Sequence, residues 1–170
     1  MGFVVLAAVV LVLGVVFGWI WRVQRREAPL RREVRAREIS FRSGLVQVKQ
    51  IGLPWWIDVS NGDLPLNAPM ELIVRGDGFE ISSTTWFARM LLGMEYCFRA
   101  REASLEVRHL VPRIYGMDPG EEWIVVSGRR ANGKAIRLGI SKKNGLRDVW
   151  AALVAAGAVP TSGGPSLQTG

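Results

Sequence analysis

Between Gly2 and Trp21 the chain reads GFVVLAAVVLVLGVVFGWIW, with no charged residue and no proline. The polarity then inverts: residues 22–42 alternate arginine, glutamate and small residues, interrupted at Pro29, the pattern of a linker with a short helix after the proline. From Phe41 the apolar positions change period again. SGLVQVKQI (43–51), LPWWIDVS (53–60), ASLEVRHLV (103–111), EWIVVSGRR (122–130) and KAIRLGIS (134–141) each hold short alternating or buried runs, the pattern of strands. MELIVRGDGFEISS (70–83) places two such runs around Gly76-Asp77-Gly78, a hairpin in sequence form, and residues 94–99 alternate as a further strand would. Only near the end does a helical spacing appear, at Leu146, Val149, Trp150, Leu153 and Val154, stopped by Gly157 and then Pro160. The tail TSGGPSLQTG is expected to be disordered.

The first run is long enough, at about 30 Å as a helix, to cross a bilayer core. Trp19 and Trp21 stand at its exit, where amphipathic rings favour the headgroup region, and Arg22, Arg25, Arg26, Arg31 and Arg32 follow. A cleaved signal peptide would have a basic start and small residues at its end, and neither is there. The reading is therefore an uncleaved transmembrane helix over 1–21. A basic juxtamembrane linker over 22–42, a folded domain over 43–160 and a tail over 161–170 follow it. The arginines on the C-terminal side predict a single-pass protein of the cell membrane, N-terminus outside and domain cytoplasmic.

Charge placement sharpens this picture. Residues 22–42 carry eight arginines against three glutamates, a net of +5, whereas residues 43–170 carry 14 basic against 12 acidic groups, a net of +2. A nearly balanced domain argues against a nucleic-acid partner. One cysteine, Cys97, excludes an intramolecular disulfide framework. The bias of 18 arginines to four lysines, with much Ala, Gly and Val, fits a bacterial source with GC-rich DNA.

The order of elements predicts a mainly β chain. One N-terminal transmembrane helix is followed by a small bent antiparallel β-barrel or sandwich of about seven strands, capped by a C-terminal helix. That order, with Trp150 on the GLRDVWAALVAAG helix, resembles the bacterial pleckstrin-homology-like domains over residues 43–160. The resemblance implies a bent barrel closed by one helix, and a module that binds phosphoinositides or peptides or serves as a scaffold. Lipid-binding members carry several bases around the first hairpin; here residues 43–60 offer only Lys49, against Asp58.

Catalytic constellations are not visible. The single histidine, His109, lies in a strand-like stretch, and Cys97 has no local signature of a nucleophile. Asp118, Glu121 and Glu122 match no calcium loop, and RGDG lacks the lysine and following helix of a phosphate loop. No cofactor, metal or catalytic residue is expected. The expected function is non-catalytic: an interaction or scaffold module at the inner membrane surface with a protein partner, or alternatively a sensor of anionic lipid head groups, with a membrane-tethered enzyme using Cys97 and His109 as the last alternative. Its contact surface would be Arg129, Arg130, Lys134, Lys142, Lys143 and Arg147, with the apolar stretch Trp86–Leu92 as a second candidate.

Overall fold

The computed structural model describes residues 2–51, 70–86, 88–89, 95–109, 122–130, 133–142 and 144–165, with some side chains of the first helix, Trp19 among them, and that of Lys49 outside the description. The expected strand in LPWWIDVS, the turn over 61–69, Asp118 and Glu121, Lys143, and most of Trp86–Leu92 lie outside the described residues.

The chain opens with helix α1, Gly2–Arg35, and then forms β1 (Ile39–Ile51), β2 (Met70–Arg75), β3 (Gly78–Ser83) and β4 (Glu95–Arg99). A single 3₁₀ turn, Ala100–Glu102, leads into β5 (Ser104–His109), β6 (Glu122–Arg129) and β7 (Ala135–Ser141). Helix α2, Leu146–Ala155, and a two-residue strand β8, Val159–Pro160, complete the described fold. The strands form one eight-stranded mixed sheet in the order β4-β3-β2-β1-β7-β6-β5-β8, antiparallel throughout except for β5 with β8.

One strand joins the two halves of this sheet. The first part of β1 pairs with β2 and its last five residues pair with β7, with irregularities in register between Arg42 and Leu45. Gly44 takes φ +67° there, a conformation that costs a side-chain-bearing residue and suits glycine. The kink is held from both sides: the Leu72 amide donates to Ser43 Oγ at 3.0 Å, and Lys142 Nζ donates to the Ser43 carbonyl at 2.5 Å. Such a bulge bends a strand and raises its twist, so the sheet curls over its own inner face. Leu72, Val74, Phe79, Ile81, Phe98, Leu105, Ile124, Val126, Leu138 and Ile140 fill that face, with Leu146, Val149 and Leu153 of α2 packed into it. The curl brings β6 against β4: a Cβ on Gly128 would stand 2.9 Å from the Phe98 ring.

Among the described residues the curled sheet does not close, which corrects the expected barrel or sandwich of about seven strands. Closure would pair β4 with β5. Instead the chain turns a corner between them at Ala100–Glu102, and the edge of β5 that closure would use is taken by β8.

The expected membrane anchor is also corrected. Among the described residues no helix is long and apolar enough to cross a membrane. That finding removes the single span over 1–21 and, with it, the single-pass cell-membrane placement with its N-terminus outside and its domain cytoplasmic. The apolar run is not a separate element followed by a linker. It is the first part of one helix that continues through Pro29 to Arg35, and the charged last part packs on the sheet.

That packing leaves no room at Gly78, where an added Cβ would lie 2.8 Å from Val34 Cγ2 on α1 and 3.1 Å from the Phe98 carbonyl oxygen. Gly78→Ala is expected to destabilise the fold by about 1–3 kcal/mol through overpacking, measured by urea denaturation. The same change in a Val34→Ala background costs less, because the two sites share that contact.

Candidate functional site

The charged part of α1 has a face of its own. Glu27, Arg31 and Arg35 recur every four residues and share one side of the helix, with Val34 beside them. Opposite them stand β3 and β4. Alternation sends Phe79, Ile81 and Phe98 to the core and turns Glu80, Ser82, Glu95 and Cys97 toward α1. Glu80 is paired in register with Cys97, and Ser82 with Glu95. Glu27, Glu80 and Glu95 are 5%, 3% and 7% exposed, so three carboxylates are almost wholly out of water.

Three guanidinium groups answer them. Arg35 grips Glu80 with two bonds, Nε to Oε2 at 2.8 Å and Nη2 to Oε1 at 2.7 Å, and its Nη2 also donates to Glu95. Arg31 Nη1 meets Glu95 Oε2 at 2.7 Å. Arg130, at the end of β6, reaches Glu27: its Nη2 donates to Oε2 at 3.0 Å, while Nε lies 2.6 Å from Oε1 as an ion pair without hydrogen-bond alignment. The Arg130 guanidinium also lies over the Tyr96 ring, 5.2 Å from its centroid. At the rim, Arg99 donates to Glu33 at 2.8 Å and Arg37 pairs with Asp77.

These surroundings set the proton affinities. Burial pushes the Glu80 carboxyl up, but the bonds and charge of Arg35, with help from Ser82 and Arg75, outweigh it and hold Glu80 below the usual carboxylate range. Burial first, and the Glu80 charge second, push the Cys97 thiol up to about 12. Cys97 therefore stays a thiol at neutral pH, and the thiol is the unreactive form. His109 is exposed at the end of β5, with Glu122 Oε1 3.9 Å from its Nε2. Among the described residues no group of His, Cys, Asp or Glu could hold a metal ion.

The expected contact residues scatter. Arg130 and Arg31 are committed to the seam between α1 and the sheet. Lys142 holds the β1 kink, Arg147 Nε donates to the Pro165 carbonyl at 3.2 Å, and exposed Arg129 bonds the Gly133 carbonyl. Lys134 is exposed at the start of β7, and Lys143 lies outside the described residues. Of the expected contact residues, Arg129, Arg130, Lys142 and Arg147 are thus engaged by contacts within the domain. What gathers instead is a stripe on the outer side of α1: Arg22, Arg25, Arg26 and Arg32 are exposed, and Arg25 lies over the exposed Trp21 ring at 5.0 Å. N-terminal to that stripe Leu6, Val10, Leu11, Val15 and Phe17 are exposed as well. A Cβ added at Gly14 or Gly18 would meet nothing within 4 Å. Two shallow depressions run along this helix, one lined by Leu6, Ala7, Val10 and Leu11, the other reaching from Val15 to Arg26.

The residues that sequence reasoning missed are Glu27, Arg35, Glu80 and Glu95. The spacing Glu27–Arg31–Arg35 was a readable signal of a charged docking face. No family model matches the chain, and no curated protein matches it either.

The sign of the Glu80 shift fixes a pH dependence. A carboxyl held low in the folded state stabilises the fold above its ordinary value of 4.5, and that contribution disappears as pH falls through the lower folded value. Urea midpoints of the wild type are expected to drop as pH falls below about 4.5, and those of Glu80→Gln to drop less steeply. At neutral pH the variant starts about 1–3 kcal/mol lower, because Arg35 loses its bidentate partner.

Proposed function

We propose that this protein is a non-catalytic interaction module, a β-domain that carries one helix and presents its free half to a protein partner. The observation behind this reading is the division of α1. Its charged part is held on β3 and β4, while Leu6, Val10, Leu11, Val15, Phe17 and Trp21 stay exposed on the rest. Contiguous exposed apolar surface on that scale marks a contact site. The non-catalytic part is supported by the protonated, buried Cys97, and by the separation of its partners from those of His109. The pleckstrin-homology-like relationship belongs to the same proposal. Successive antiparallel strands followed by an amphipathic helix support it, and the unclosed β4 edge departs from it.

A second reading, contact with anionic lipid head groups, is favoured by Arg22, Arg25 and Arg26 beside Trp21, exposed on the outer side of the helix. One pair of measurements on the full chain separates the two. A photo-reactive residue at position 15 is expected to form a protein adduct that the same residue at position 151, on the exposed side of α2, does not. Salt-sensitive co-flotation with anionic but not neutral vesicles, lost in Arg22→Glu/Arg25→Glu/Arg26→Glu, would favour the lipid reading instead. The absence of both would overturn the role given to α1.

A further inference from the structure

The chain does not leave the domain after α2. Gly157 takes φ +103° and its amide donates to the Val154 carbonyl at 2.9 Å, turning the backbone toward β5. The Val159 amide then donates to the Ala103 carbonyl at 2.9 Å and the Thr161 amide to the Leu105 carbonyl at 2.7 Å, the pattern of an added parallel strand. Thr161 Oγ1 donates to the same Leu105 carbonyl at 2.8 Å, and Ser162 Oγ accepts from the Val107 amide at 2.8 Å. Gly164 closes on Trp150, and the Pro165 carbonyl accepts from Arg147 of α2. Residues 161–165, expected to be disordered, therefore form a strap across the edge of β5.

The way this strap is held is unusual in the domain. It is the one parallel pairing among the described residues, and residues 159–165 contain no charged side chain. Val159, Pro160, Thr161, Gly163 and Gly164 are exposed and Pro165 alone of the seven is buried, so modest apolar burial offsets the entropy of ordering them. Its grip on β5 is backbone and hydroxyl hydrogen bonding, and the backbone part is what an extended segment with N–H groups at alternate positions reproduces. Proline fits between the two bonded amides because its nitrogen faces away from β5 and has no hydrogen to leave unpaired.

We propose that the strap is a self-supplied occupant of a peptide-docking edge. An extended, uncharged, proline-containing segment of a partner protein adds to β5 between Ala103 and Val107, and residues 159–165 compete with it. This inference is independent of the role of α1.

The test uses the full chain carrying Thr161→Pro and Ser162→Ala, which removes the Thr161 amide and the Ser162 hydroxyl without touching β5. The probe is a labelled peptide of the chain's own sequence AVPTSGGP, followed by fluorescence anisotropy, with hydrogen exchange reporting the Val107 amide. The variant is expected to lose about ten-fold or more of Val107 protection and to bind the peptide about ten-fold or more tighter than the wild type, equivalent to about 1.4 kcal/mol or more. A peptide with proline at the Thr161 position is expected not to bind. Equal binding to variant and wild type, unchanged Val107 protection, or a variant dimer that the peptide does not dissociate would each overturn the proposal. Should the double variant fail to fold, Ser162→Ala alone carries the same expectations at reduced size.

Discussion

Three carboxylates buried between a helix and a sheet cannot stay there alone. Moving a charge out of water costs several kcal/mol after relaxation, and its return depends on partners with good geometry. Glu27, Glu80 and Glu95 meet that condition through Arg130, Arg35 and Arg31, which come from two elements of the chain. Each pair fixes α1 along a different direction: Arg35 on β3, Arg31 on β4, and Arg130 from the end of β6. Such a seam adds little net stability over an apolar one. It does make a sliding or rotated helix expensive, because any shift would leave buried charge unmatched.

The position of Arg130 shows how this seam depends on the sheet. β6 lies far from β4 in strand order, yet Arg130 touches Glu27, the Tyr96 ring and the Glu95 carbonyl. It can do so only because β1 kinks at Ser43–Gly44 and folds one half of the sheet over the other. A flat sheet would separate these groups. Lys142, anchoring the Ser43 carbonyl, therefore supports the α1 seam from a distance. The same curl leaves two sheet edges, β4 at one end and β5 at the other, and the chain treats them differently. The outer face of β4 is covered by a helix, while the edge of β5 is covered by the chain's own terminal segment.

Much of this order was legible where local pattern decides it. The Gly76-Asp77 hairpin carries its own turn chemistry, and the Leu146–Val149–Leu153 stripe marks α2 without help from distant residues. Reading failed where burial is not local. Glu80 and Glu95 sit at the outward positions of alternating strands, which look solvated until a helix returns to cover them. Pro29 suggests a break, yet the helix continues past it with the proline on the exposed side. Arg130 looks like a free base in a hairpin turn, and its partner lies 103 residues away. The apolar run at the start satisfies a length rule for a membrane span, but that rule does not see the continuation of the helix into a charged face packed on the sheet. The tail has the composition of a disordered segment, and what orders residues 161–165 is the hydrogen-bonding capacity of β5, which no property of those residues records.

A double-mutant cycle on Arg31 and Glu95 tests the matched-charge seam most directly. This pair joins α1 to β4 at 2.7 Å with both side chains largely buried. Arg31→Leu, Glu95→Gln and their combination are to be compared by chemical denaturation. Each single change should destabilise the fold, and the double variant should be more stable than their sum by about 1–3 kcal/mol, because each single leaves a buried charge that the double removes. Additive losses, with a coupling below about 0.5 kcal/mol, would mean that α1 is held by its apolar contacts and that charge matching does not position it.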